Sequence, residues 1–209
     1  GSQYVGMAAE LYQTQPVFRK ALDHCEAMMQ DLSGQSLLDV LWRQESLINH
    51  TEWTQPGLFA IQMGLSQLLF SWGLRPDVVL GHSVGQYAAA CVAGVMDWEQ
   101  GFRLICERGR LIGDLPTGGS MAAVFTAYEK VESIVAEHTG VSLAAQNGLH
   151  TVISGEETVV NKLIDQFSEE GIRCKKLNTS HAFHSHLMEP ALEAFTRFAD
   201  SLNFQPTRI

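Results

Sequence analysis

The feature that most constrains this chain is Gly81-His82-Ser83-Val84-Gly85, set between the short apolar run Asp77-Val78-Val79-Leu80 and an Ala-rich stretch from Gln86 to Val95. Arg75-Pro76 breaks the chain before the run, which predicts a strand buried on both faces of a parallel sheet. Alanine forms helix readily and adds little bulk, so the stretch that follows predicts a helix lying close against that strand. Strand, sharp turn and helix in succession present the serine of a G-x-S-x-G pattern at the carboxyl edge of the sheet. The backbone N–H of Val84, at the helix start, can then face a developing oxyanion. Ser83 is therefore a candidate nucleophile, and the pattern by itself suits a hydrolase and a transferase equally. Such an arrangement needs a sizeable core, which 209 residues at 45% hydrophobic provide.

A second constraint comes from helical geometry. Asp97 to Ile112 opens with a capping-box pattern, Asp97-x-x-Gln100, and its apolar stripe runs through Leu104, Ile105, Leu111 and Ile112. Arg108 falls inside that stripe, whereas Arg103, Glu107 and Arg110 point to the polar side. A guanidinium carried inward cannot shed its proton and needs an anion, either an internal carboxylate or the carboxylate of a ligand held by a bidentate clamp. Upstream, Gln55 to Trp72 carries Leu58, Ile61, Leu65, Leu68 and Leu69 at helical spacing, with Gly73 as its stop.

The turn cluster Pro116-Thr117-Gly118-Gly119 marks a change of pattern. Beyond it the chain reads as strand (121–125), helix (128–138), strand (141–146), strand (151–154), helix (158–170) and strand (172–177). That order is βαββαβ, the ferredoxin-like unit. A helix over 187–202, with Ala191, Leu192, Phe195, Phe198 and Leu202 on one side, returns to the larger piece. The expected fold is α/β: an α/β-hydrolase-like larger subdomain with a parallel sheet (1–118 and 184–209) and an inserted ferredoxin-like smaller one (119–183). The ends, Gly1-Ser2-Gln3 and Pro206-Thr207-Arg208-Ile209, read as those of an excised piece.

Between the last small-subdomain strand and the following helix lies His181-Ala182-Phe183-His184-Ser185-His186. A histidine there is suited to act as general base toward Ser83, and spacing alone does not choose among the three. No acidic or cysteine ligand joins them at usual metal spacings. Cys25, Cys91, Cys106 and Cys174 form no CxxC pair and read as reduced core fillers. The formal charge of −9, from 14 basic and 23 acidic residues, lacks the positive field that nucleic acid demands. No run approaches the roughly 18 to 20 apolar residues of a membrane span, and the start lacks a signal-peptide pattern. A cytoplasmic protein with neither nucleic acid nor membrane as partner is the expectation.

Taken together, Gly1–Met7, Thr54-Gln55-Pro56-Gly57-Leu58-Phe59-Ala60, Gly81–Gly85, Glu107-Arg108-Gly109-Arg110 and His181–Ser185 resemble the acyltransferase domains of modular type I polyketide synthases. More distantly they resemble the malonyl-CoA:acyl-carrier-protein transacylases. The resemblance runs in order along nearly the whole chain. It implies Ser83 as the acylated nucleophile, His184 as its catalytic partner with no Asp as a third member, and Arg108 as the holder of the substrate's free carboxylate. Val84 is implied as oxyanion donor, with Gln55, His82 and Phe183 in the substrate-binding set.

The implied reaction is ping-pong: malonyl passes from malonyl-CoA to Ser83 and then to the phosphopantetheine thiol of an acyl carrier protein. No cofactor is bound, and a ketosynthase domain is the implied neighbour. The HAFH motif resembles malonyl-preferring members, where methylmalonyl-preferring ones usually carry YASH, so Phe183 is expected to narrow the space for an α-methyl branch. Gln86 stands where the family usually has Glu. Relative to the family pattern, the chain starts after a first strand with its Gly-Gln-Gly and ends before the C-terminal strands. A serine hydrolase of the patatin-like type and a non-catalytic docking domain are the alternative readings.

Overall fold

A computed structural model describes residues 2–209. Gly1, the first residue of the expected larger subdomain and of the Gly1–Met7 motif, lies outside them. The described chain separates into two compact units, one of residues 2–113 with 194–209 and the other of residues 114–193.

The larger unit is built on helices: α1 (Ala9–Thr14), α2 (Pro16–Ser33), α3 (Leu37–Arg43), α4 (Thr51–Ser71), α5 (Gly85–Val92) and α6 (Trp98–Gly113). Local signals start and stop them. Pro16 occupies the first turn of α2, and the Ser36 side chain accepts from Asp39 N at the start of α3. The expected capping box opens α6: Gln100 N donates to Asp97 Oδ1 at 2.7 Å, and Asp97 N donates to Gln100 Oε1 at 3.3 Å. α4 ends as expected at Gly73, whose N–H donates to Phe70 O while Leu74 N–H donates to Leu69 O. Phe18, Leu22, Leu41, Phe59, Phe102 and Ile105 are fully buried at the centre of this unit.

α6 packs closely on α4 because Gly109 faces the first turn of α4: a Cβ there would stand 3.1 Å from both Glu52 Cα and Thr51 O. A side chain there would press on the α4 backbone, so glycine favours this close approach of the two helices.

The smaller unit folds as expected. Its elements are β1 (Gly119–Val124), α7 (Tyr128–Ala136), β2 (Val141–Gln146), β3 (Thr151–Glu156), α8 (Glu157–Glu169) and β4 (Cys174–Lys176). The sheet has order β2-β3-β1-β4 and all its pairings are antiparallel, which is the ferredoxin-like arrangement. Phe125 N donates to Arg173 O and Leu177 N to Met121 O, so β1–β4 pairing reaches beyond β4 at both ends. Ala122, Val124 and Ile153 face α7 and α8 through Val131, Leu163 and Phe167. On the other face, Met121, Ala123 and Val152 form a smaller cluster against which Phe183 packs. A short 3-10 turn (His186–Met188) then leads into α9 (Glu189–Asp200).

Three expectations need correction. Residues 77–80 pair with no strand among the described residues, and Val78 and Leu80 are 82% and 97% exposed rather than buried. A parallel strand is buried by the strands beside it and the helices above them. The larger unit contains no strand among its described residues, so the expected parallel sheet is not found among them. For the same reason Leu65 and Leu69 of α4 are exposed and border an apolar groove of about 620 Å³ that Leu74, Val79, Leu80 and Ala89 also line. In α9, Leu192 is exposed and Ala191 alone is buried.

Candidate active site

Ser83 sits at the turn before α5 with φ 52, left-handed backbone that a residue with a side chain rarely adopts. Two features of the neighbouring sequence hold it there. A Cβ on Gly81 would lie 2.3 Å from Gln86 N and 2.4 Å from Gly85 C, so the chain before the serine passes directly over the start of the helix after it. Gly85 N–H donates to His82 O and Gln86 N–H to Ser83 O, each at 3.0 Å, closing the turn. The Val84 N–H has no backbone carbonyl partner among the described residues, as is usual for the first N–H groups of a helix. His82 and Gln86 are exposed, and Ser83 is half-buried.

Arg108 is half-buried, while Arg103 and Arg110 are exposed and Arg110 pairs with Glu107 at 2.7 Å. Arg108 Nη1 donates to Gln55 Oε1 at 2.5 Å, and its guanidinium lies 5.8 Å from the centre of the Tyr87 ring. Gln55 is buried, and its Nε2 donates in turn to Thr51 Oγ1 at 2.6 Å. Among the described residues no carboxylate pairs with Arg108. Burial lowers its proton affinity from the ordinary arginine range and raises that of the Tyr87 hydroxyl.

The histidine cluster resolves into three environments. His181 is buried; its Nε2 lies 3.2 Å from Leu115 O and its Nδ1 3.0 Å from Ser180 Oγ. A carbonyl only accepts, so Nε2 donates to Leu115 O while Nδ1 pairs with the serine hydroxyl, which engages both nitrogens in holding the loop. Ser185 is buried too: its Oγ donates to Ala182 O at 2.7 Å and accepts from Leu187 N at 3.3 Å. His186 Nε2 stands 3.8 Å from Glu156 Oε1. Between these pins His184 is exposed, with φ 63. Ser83 and His184 are thus two of only three non-glycine residues with positive φ among those described, the third being Ala8.

The structure therefore brings together Gln55 and Arg108, which sequence reasoning singled out, and adds Tyr87 and Thr51, which it missed. Both were findable: Tyr87 lies one helical turn beyond Ser83, and Thr51 lies four residues before a buried glutamine that needs a partner at each end of its amide. Ser83, Val84, His82, Gln55 and Arg108 belong to the larger unit, Phe183 and His184 to the smaller.

Comparison with known proteins matches residues 1–208 to the acyl transferase domain family. This chain belongs to that family. It is 43% identical over 211 residues to the phenolphthiocerol synthesis polyketide synthase type I Pks15/1 of Mycobacterium marinum, an alignment covering 100% of this chain and 10% of that protein. Among solved structures, the acyltransferase domain from the second module of the salinomycin polyketide synthase superposes with a TM-score of 0.94 at 42% identity, over 100% of this chain and 49% of that one. The malonyl CoA-acyl carrier protein transacylase from Clostridium perfringens superposes with a TM-score of 0.87 at 27% identity, over 99% of this chain and 67% of that one. The acyl transferase domain described here thus has the α/β fold of its structural relatives and spans about half the length of the first of them. No helix among its described residues is long and apolar enough to cross a membrane.

Proposed function

We propose that this acyl transferase domain takes a malonyl extender unit from malonyl-CoA, holds it as an ester on Ser83, and delivers it to the phosphopantetheine thiol of an acyl carrier protein in polyketide synthesis. The observation that carries this reading is Arg108: a half-buried guanidinium with one donor on Gln55, one face toward Tyr87, and no carboxylate partner among the described residues. A buried cation without an internal anion suits a ligand that brings its own carboxylate. It disfavours plain acetyl groups, which leave the guanidinium unpaired.

In the first half-reaction Ser83 Oγ attacks the thioester carbonyl and its proton passes to His184. The oxyanion is met by the Val84 N–H. Collapse breaks the C–S bond, and the coenzyme A thiolate leaves with the proton from His184. In the second, the carrier's thiol gives its proton to His184 and attacks the ester; the C–Oγ bond breaks and His184 returns the proton to Ser83 Oγ. No bound cofactor takes part. Phe183 narrows the space beside the α-carbon and favours malonyl over methylmalonyl, a preference of about 1 to 3 kcal/mol for one methyl group. His82 completes the substrate-binding set, a ketosynthase domain is the neighbour, and the cytoplasm is the compartment.

The test is intact-protein mass spectrometry of the whole polypeptide after mixing with malonyl- and methylmalonyl-CoA. The expected result is a single malonyl adduct that is lost in Ser83→Ala and His184→Ala and strongly reduced in Arg108→Ala. Equal loading of the two acyl groups overturns the extender preference, and an adduct that survives Ser83→Ala overturns the nucleophile.

A further inference from the structure

Thr51 and Gln55 are both buried, at 4% and 2% exposure, and stand one turn apart at the start of α4. A guanidinium offers donors only, so Arg108 is satisfied by Gln55 Oε1 and repelled by Gln55 Nε2. One contact alone lets a long side chain swing, so a buried amide is held in place only when its nitrogen is bonded as well as its oxygen. Arg108 therefore selects Oε1, and the other end of the amide is anchored by Thr51, whose Oγ1 accepts from Gln55 Nε2 at 2.6 Å. Gly109 keeps the two helices close enough for this, since Thr51 O and Glu52 Cα lie 3.1 Å from where its Cβ would be.

We propose that Thr51 is a positioning residue for acyl-group selection: through Gln55 it holds the Arg108 guanidinium in the orientation that receives a substrate carboxylate. It rests on the reading of Arg108 given above and goes beyond it by assigning a residue remote from the acyl group. In Thr51→Val the branched shape is kept and the acceptor is lost. The amide nitrogen is then buried without its acceptor, and the Gln55 side chain no longer holds Arg108 in one place.

The experiment measures acylation rate constants of the intact protein with malonyl-CoA and acetyl-CoA for wild type, Thr51→Val, Thr51→Ser and Thr51→Ala. Thr51→Val is expected to lower the malonyl-to-acetyl ratio of kcat/KM roughly tenfold, the usual worth of one hydrogen bond to a charged network. The change falls on malonyl KM and leaves acetyl loading unaltered, and Thr51→Ser restores the ratio. Thr51→Ala replaces valine as the test variant if valine disturbs the helix start, with unfolding midpoints reported for each. In a Gln55→Met background, Thr51→Val is expected to change the ratio no further, because its path to Arg108 is already cut. An unchanged ratio in Thr51→Val, or an equal fall for both substrates, overturns the proposal. A wild-type protein that shows no preference for malonyl over acetyl overturns instead the reading of Arg108 on which it rests.

Discussion

The guanidinium of Arg108 on α6 lies 5.8 Å from the centre of the Tyr87 ring on α5. Tyr87 follows Ser83 by four residues, so this contact ties the helix that begins just after Ser83 to the helix that carries the half-buried cation. Because Gln55 on α4 holds the same guanidinium, three helices converge on one charge. The charge is held by neutral groups that do not cancel it.

Tyr87 is expected to act through its ring. Tyr87→Phe keeps the π face and changes malonyl loading less than about threefold, whereas Tyr87→Leu loses it and lowers kcat/KM for malonyl-CoA by about tenfold, in keeping with roughly 1 to 2 kcal/mol for a desolvated cation–π contact. Steady-state kinetics on the two variants decide this, and equal losses in both point to the hydroxyl.

Helix contact at Gly109 makes a stability prediction with an internal control. Gly109→Ala places a methyl 3.1 Å from backbone of α4 and forces the helices apart, for a loss of about 1 to 3 kcal/mol. Gly113→Ala, whose Cβ meets Thr51 Cγ2 at an ordinary 3.7 Å, is expected to stay within about 0.5 kcal/mol of wild type. Chemical denaturation compares them, and equal stability of the two variants refutes the close-approach account.

Burial pushes the Cys25 thiol up to about 12 from its ordinary value of 9.0. The folded chain keeps that proton until about pH 12, while the unfolded chain releases it near 9, so above pH 9 each rise in pH favours unfolding. Stability is therefore expected to be flat with respect to this group below pH 9 and to fall between 9 and 12. Cys91, also pushed up to about 12 by burial, adds to the same window. Urea unfolding at pH 8, 9.5 and 10.5 shows the fall, and Cys25→Ala makes it shallower. An unchanged slope in that variant removes Cys25 from the explanation.

Much of this was legible in the sequence because its signals are local. The capping box at Asp97 and Gln100, the stop at Gly73 and the βαββαβ order depend on residues a few positions apart, and each appears in the structure as read. The inward placement of Arg108 followed from helical periodicity alone. The histidine cluster was harder. Three imidazoles at similar spacing look alike until the packing buries His181 on Leu115 and Ser180, brings His186 toward Glu156, and leaves His184 exposed on left-handed backbone.

The apolar run at 77–80 shows the limit of such reading. Its composition specifies extended chain, but burial of Val78 and Leu80 depends on strands that must lie beside them, and that is a property of pairing rather than of the run. The sequence by itself determined the element types, the Ser83 turn and the one cation directed inward, since these follow from backbone propensity and side-chain period. Only the tertiary structure decided what meets Arg108, namely the amide of Gln55 and the ring of Tyr87, because those contacts join residues on three different helices and depend on how closely Gly109 lets α6 approach α4.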